Sequence, residues 1–323
     1  MSVPESTAPP SQDSGAPPTV LPPHVPQGPS GAADLFKAVI QGMRPKQWAK
    51  NVFVLAAIFF SMNFRNLDMW VSTIAAFASF SMLASAGYLF NDANDVEADR
   101  RHPTKRRRAI ASGRLPLKVA YVEMVALFAI GSSLAFAVSP WLLAIAWLYL
   151  STTLSYSFYF KHIVILDVMF LSAGFIWRAA AGAVAIDVDA SPWLLTCTAF
   201  VSLFFGFNKR RGELVMMAGR AETTRKILAE YTHNLVVEFQ AITTSGTILS
   251  YALYCVLGSP TPWLLLTLPH VMYMVFRYMY LVSAKNEGGA PDETLFKDIP
   301  ILAAGVLYGL TVVSVLVLAP LRV

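Results

Sequence analysis

The chain has 323 residues, 55% of them hydrophobic and only 14% charged, with a mean hydropathy of +0.52. Such a composition excludes an ordinary water-soluble domain and describes a polytopic membrane protein, with no nucleic-acid partner to expect. The formal net charge of +5 sits in a few loops, where Lys and Arg set topology and can hold phosphates; Cys197 and Cys255 fall inside apolar segments, which leaves no disulfide, zinc or thiol redox chemistry to expect.

Residues 1–33 are rich in Pro, Ser, Gly and Ala, with Pro9-Pro10, Pro17-Pro18 and Pro22-Pro23. They cannot bury enough apolar area to fold, so a disordered tail is expected. The tail lacks the basic start, apolar centre and small-residue cleavage site of a secretory signal, and is therefore expected in the cytoplasm. Residues 34–323 form the membrane domain. A short amphipathic piece over 35–43 leads into Arg44-Pro45-Lys46-Gln47-Trp48-Ala49-Lys50-Asn51.

From there nine apolar segments approach the length that spans a hydrocarbon core of about 30 Å. They cover 48–62, 69–90, 117–138, 141–160, 164–186, 192–207, 239–257, 261–282 and 299–318. Backbone groups in lipid must be satisfied internally, and the runs are too long for barrel strands. The predicted fold is therefore an all-α bundle of nine transmembrane helices. Lys37, Arg44, Lys46, Lys50, the run from Arg100 to Lys118, Lys161, the run from Lys209 to Lys226, Lys285 and Lys297 fall on one side, and only Arg65 and Arg322 on the other. The positive-inside rule then places the N-terminus and the long loops in the cytoplasm and the C-terminus across a plasma or inner membrane.

After the second segment comes Asn91-Asp92-Ala93-Asn94-Asp95-Val96-Glu97-Ala98-Asp99. On a helix Asp92, Asp95 and Asp99 stand at i, i+3 and i+7, with Asn91 one turn before Asp95, so their oxygens project from one face. That is a site for a hard cation. Mg²⁺ prefers one or two carboxylates plus substrate phosphates, and Arg101, Lys105, Arg106, Arg108 and Arg114 beside it supply charge for phosphates. A solvated acidic helix end followed by a topogenic basic loop is the competing reading.

Between the fourth and fifth segments lie Tyr156 and Lys161, then Asp167 near a membrane boundary, where a carboxylate is expected to face a cavity. Arg178 is deeper, and a charge at that depth needs a partner or an aqueous cavity; a cavity wall is expected. Arg277 invites the same argument. Between the sixth and seventh segments runs Asn208-Lys209-Arg210-Arg211-Gly212-Glu213, then an expected surface helix over 221–233. Asn208, Arg211 and Glu213 can share a helix face. Lys209, Arg210 and Arg211 would grip phosphate oxygens, and Glu213 would add a metal or ribose-hydroxyl contact; positive-inside anchoring is the alternative. His102 and His233 read as ordinary loop residues.

With both clusters in view, the chain from about Leu35 onward resembles the UbiA superfamily of intramembrane prenyltransferases. Asn91-Asp92-x-x-Asp95-x-x-x-Asp99 matches its first Asp-rich motif, while Asn208 to Glu213 stands where that superfamily has a second one. Arg44-Pro45-x-Gln47-Trp48-x-Lys50-Asn51 and the Tyr156 to Asp167 stretch are most similar to its decaprenyl-phosphate phosphoribosyltransferase branch. That resemblance implies transfer of a phosphoribosyl group from phosphoribosyl diphosphate (PRPP) to decaprenyl or another polyprenyl phosphate, for a cell-wall arabinose donor. The expected metal set is then Asn91, Asp92, Asp95 and Asp99, with the three carboxylates, Lys46 and Arg178 catalytic, and Lys46, Lys50, Lys161 and Arg178 steering the acceptor phosphate or the donor 5-phosphate. The lipid tail would leave sideways into the bilayer. A homo-oligomer stays open. The competing functions are an aromatic prenyltransferase of quinone or haem synthesis, which needs carboxylates where Lys209 to Arg211 stand, and a transporter using Asp167 and Arg178.

Overall fold

The computed structural model describes residues 28–63, 65–102, 104–217, 226–285, 294–295 and 297–318. Every regular element among the described residues is helical. The expected disordered tail falls almost wholly on residues outside that set, and so does the 221–225 part of the expected surface helix. The rest of that segment is a 3-10 turn, Lys226–Ala229, and His233 opens a helix instead of closing one.

An amphipathic helix α1, Ala32–Met43, comes first. It is followed by an 11-residue 3-10 helix, Pro45–Leu55, and a five-residue α2, Ala56–Phe60. The long helices are α3, Leu67–Asn94, then after a short α4, Val96–Arg101, come α5, Leu117–Val138, α6, Pro140–Phe158, and α7, Leu166–Ala185. The second half holds α8, Pro192–Met217, α9, His233–Leu253, α10, Leu268–Ala284, and α11, Ile299–Leu318. Starts are set by caps: the side chains of Asn66, Ser139 and Thr232 accept N–H bonds from the first turns of α3, α6 and α9.

Seven of these are long and apolar enough to cross a membrane, α9 being extended by a π-helical turn to Gly258 and α10 preceded by a 3-10 turn from Pro262. The other two expected spans differ. α8 has the length, at 26 residues, but its last turns carry the polar run Asn208 to Glu213. The 48–62 segment is not a regular α-helix, because Arg44 in a left-handed conformation and Pro45 start a 3-10 coil. It packs against α3 and α7, with Asn51 and Val54 buried. Contact is so close that a Cβ on Gly182 of α7 would stand 2.0 Å from the Val54 carbonyl oxygen.

α3 is the central helix. Val54, Phe80, Leu83, Ala146, Tyr149 and Ala181 form one core between it, the 3-10 coil, α6 and α7. Leu89, Ile110, Leu115 and Ala38 form another at the end where α1, α3, α5 and the loop after α4 meet. At 28 residues α3 is about 42 Å long, well beyond a hydrocarbon core of about 30 Å. Its final turns, which carry Asn91 and Asp92, can thus stand clear of lipid while its middle is buried.

Candidate active site

α3 ends at Asn94 because Asp95, at φ −90 and ψ 7, leaves helical geometry before α4 begins. The break turns the two helices so that Asp92 and Asp99 face the same cations while Asp95 is left exposed. One nitrogen of Arg108, Nη1, donates to Asp92 Oδ1 at 2.9 Å and to Asp99 Oδ2 at 2.7 Å. Arg44 Nη2 donates to both oxygens of Asp92, at 2.5 and 2.7 Å. Lys105 Nζ lies 4.0 Å from Asp99 Oδ1. The carboxylate side chains are 8% and 2% exposed, whereas those of Arg44 and Arg108 are 29% and 30% exposed. The acids therefore lie beneath, and the guanidinium groups above them reach solvent.

The local sequence explains how Arg44 gets there. Its left-handed backbone, φ 54, turns the chain out of α1, and the Ser85 hydroxyl of α3 donates to the Met43 carbonyl at 2.8 Å and accepts from Trp48 Nε1 at 3.0 Å. The turn is pinned to α3 from both sides, and the Arg44 guanidinium packs 5.0 Å from the Tyr88 ring centroid. Arg114 pins the basic loop, donating to Ser112 Oγ and to the Arg107 carbonyl. Arg101 and Lys46 are exposed, and Arg106, Lys50 and Lys161 partly so. His102 is held below the usual imidazole range by burial and by Lys105 nearby; its Nδ1 accepts the backbone N–H groups of Thr104 and Lys105.

The second cluster is built differently from the expectation. Arg210 is only 1% exposed, donating to Asp167 Oδ2 at 2.7 Å and to Glu213 Oε2. The Tyr231 hydroxyl donates to Asp167 Oδ1 at 2.6 Å and accepts the Ile165 N–H at 2.8 Å. Burial and the Asp167 bond raise the Tyr231 phenol, so it keeps its proton at any physiological pH. Asp167 is thus enclosed and not turned to a cavity, and Arg210 and Glu213 are occupied with each other, because a guanidinium this buried needs carboxylates close by. Asn208 is buried and bonded to Gln240 at 2.7 Å. Arg211 keeps spare donor capacity: Nη1 reaches Gln240 at 2.9 Å, and its buried Nε has no hydrogen-bond partner. Lys209 lies partly exposed between them.

The end of α6 connects the clusters. Ser157, in its last turn, accepts from Asn91 Nδ2 at 3.1 Å, with Tyr156 partly exposed beside it, and a short turn, Phe160–His162, leads from α6 to Asp167 at the start of α7. The two clusters therefore flank the end of α6.

Arg178 lies elsewhere. It is buried and donates to Asn51 Oδ1 at 2.6 Å, the Gly174 carbonyl at 2.8 Å and Tyr149 Oη at 2.9 Å, with the Tyr149 ring centroid at 4.5 Å. The expected cavity wall is a packed joint. Arg277 pairs with Asp298.

Among the described residues no three His, Cys, Asp or Glu side chains converge into a metal centre of their own. Asp92 and Asp99 nonetheless fit a hard divalent ion. Two carboxylate oxygens already converge on a single cationic nitrogen, and Mg²⁺ takes one or two carboxylates with substrate phosphates completing its shell. Arg44, Ser157, Gln240 and Tyr231 are the parts of these clusters that sequence reasoning missed as site residues. Only Arg44 carried a signal, through its place before Pro45.

The UbiA prenyltransferase family matches residues 51–296. Decaprenyl-phosphate phosphoribosyltransferase of Corynebacterium glutamicum is 37% identical over 284 residues, covering 84% of this chain and 83% of that protein. The protein of the same name in Mycobacterium tuberculosis H37Rv is 33% identical over 272 residues, covering 82% and 90%. A UbiA homolog from Archaeoglobus fulgidus, solved bound to GPP and Mg²⁺, is similar in fold at a TM-score of 0.64 and 14% identity, covering 85% of this chain and 97% of that one. Since the matched span runs from Asn51 of the 3-10 coil through the carboxylate turn and the Arg210 network to the start of the last helix, the chain belongs to the UbiA prenyltransferase family.

Proposed function

We propose that this protein transfers the 5-phosphoribosyl group of PRPP to decaprenyl phosphate, releasing diphosphate, in the plasma membrane with its active site facing the cytoplasm. The observation that carries this reading is the 37% identity to a decaprenyl-phosphate phosphoribosyltransferase across more than four-fifths of both chains. Of the segment 208–213, where the superfamily has a second acidic motif, Arg210 is sealed against Asp167 and Glu213, and the partly exposed Arg211 supports a donor with more phosphate to hold.

Asp92 and Asp99 would hold Mg²⁺, which when bound neutralises charge on the diphosphate of PRPP. Arg44, Arg108 and Lys105, already at the carboxylates, donate to diphosphate oxygens and stabilise the charge that grows as the C1–O bond breaks. An oxygen of the lipid phosphate forms the new bond at C1. That phosphate is already an anion, so no strong general base is needed, and His102 is engaged through Nδ1 with backbone N–H groups. Arg211, partly exposed where Arg210 is sealed, is the member of the second cluster assigned to a phosphate; Arg210 positions the helices around it.

The test supplies radiolabelled PRPP, Mg²⁺ and decaprenyl phosphate to purified protein. Label should pass into the organic extract, and Asp92→Asn or Asp99→Asn should lower kcat by at least about 100-fold, as for other losses of transition-state charge stabilisation. An extract without label, with a prenyl diphosphate consumed instead, would overturn the assignment.

A further inference from the structure

The Arg108 guanidinium occupies the point on which Asp92 and Asp99 converge, and Arg44 covers both oxygens of Asp92. A metal ion entering there meets oxygens already engaged by guanidinium groups, and only Asp99 Oδ1 carries no arginine. The arginines, however, are on the solvent side of nearly buried acids, so they can swing outward without unpacking α3 or α4. A bare metal ion arriving there would displace two guanidinium groups and place its charge beside theirs. A metal ion arriving with a diphosphate brings acceptors for the displaced groups.

We infer that Arg108 is a placeholder for the metal: it holds Asp92 and Asp99 in their binding arrangement and hands them over only when a metal and a diphosphate arrive together, moving its own bonds to the diphosphate. Arg44 assists at Asp92. The inference rests on the metal and donor assignment above, and makes Arg108 a positioning residue as well as a donor ligand. It predicts that the metal and the donor each bind poorly alone and tighten each other's binding by the same factor, as linkage requires.

The experiment titrates Mn²⁺ into the full-length protein in nanodiscs, reading free Mn²⁺ by electron paramagnetic resonance, with and without inorganic pyrophosphate or PRPP, and subtracts the Mn²⁺ that each anion holds in protein-free nanodiscs, so that only protein-bound metal is counted. In the wild type, either anion should tighten Mn²⁺ binding by about tenfold or more, the equivalent of one charge-assisted hydrogen bond no longer lost. Arg108→Gln should bind Mn²⁺ alone about tenfold more tightly than wild type and lose most of the coupling. Its KM for PRPP should rise. Arg44→Gln, which leaves the Arg108 bridge in place, should show the same changes at smaller size and serves if Arg108→Gln does not fold. Mn²⁺ binding that is no tighter in either variant, or wild-type binding indifferent to both anions, overturns the placeholder. Coupling to pyrophosphate without any transfer from PRPP would instead sink the proposed function and leave the placeholder standing.

Discussion

Arg178 sits twelve residues into α7, about 18 Å from its start, and its hydrogen-bond partners are neutral oxygens of Asn51, Gly174 and Tyr149. The guanidinium is stabilised by donating to all of them and by the Tyr149 face, and Asn51 passes the connection on to Ser81 of α3 at 2.9 Å. Arg178→Leu should therefore cost about 2–3 kcal/mol, because it strands the Asn51 oxygen as well as removing bonds. Thermal unfolding in detergent would show a lowered midpoint, with Arg178→Lys intermediate. Loss of turnover with an unchanged midpoint would instead mean that this side chain touches substrate. Tyr231→Phe tests the same principle at the second cluster. It removes one donor to Asp167 and one acceptor for Ile165, an expected loss of about 1–2 kcal/mol in stability with transfer activity retained.

Among the elements, the 3-10 coil decides where Arg44 stands. Gly182 gives the clearest handle: a Cβ there would run into the Val54 carbonyl, whereas one at Gly309 of α11 meets nothing within 4 Å. Gly182→Ala should push the coil off α7 and raise KM for PRPP several-fold through Arg44. Gly309→Ala should leave kinetics unchanged and gain up to about 1 kcal/mol in helix propensity; equal behaviour of the two variants would refute the link between coil and site. The same elements show what sequence could and could not reveal. The apolar runs that became α3, α5, α6 and α7 were legible because lipid demands length and hydrophobicity together. The coil over 45–55 was not, since its apolar end, Val52 to Leu55, runs straight on into the apolar α2 so that the two read as one span, and only Pro45 hints at a different helix. The acidic cluster is spaced for one straight helix, but the helix breaks at Asp95, with Asp92 and Asp99 sharing Arg108 and Asp95 left exposed. Arg108 reaches them from beyond α4, a contact no local period encodes.

Across the whole molecule, two polar constructions border the end of α6. One is open to solvent through its arginines; the other is sealed, with Asp167, Arg210, Glu213 and Tyr231 tying the start of α7 to α8 and to the loop before α9. Basic residues at 209–211 suggested phosphate ligands, and the sequence carried no sign that Arg210 turns inward, because its partner Asp167 is 43 residues away in the chain. Asp167→Asn should cost about 3 kcal/mol, the usual result of breaking a buried pair from one side, seen as a lower unfolding midpoint. A change confined to KM for PRPP would argue that the network grips the donor itself. Arg211→Ala, by contrast, should raise that KM with little effect on the midpoint.

α3 both anchors the coil, through Ser81 and Ser85, and presents Asp92 at its far end. Adding one residue between Ser85 and Asn91 would rotate everything beyond it by about 100°, swinging the acids away from Arg44 and turning Ala93 out of its core with Ile110 and Leu115. Homologous enzymes should therefore tolerate insertions and deletions in their connecting loops, yet keep the count from Ser85 to Asp92 fixed. A single inserted alanine in that interval should yield an inert protein with a lowered unfolding midpoint.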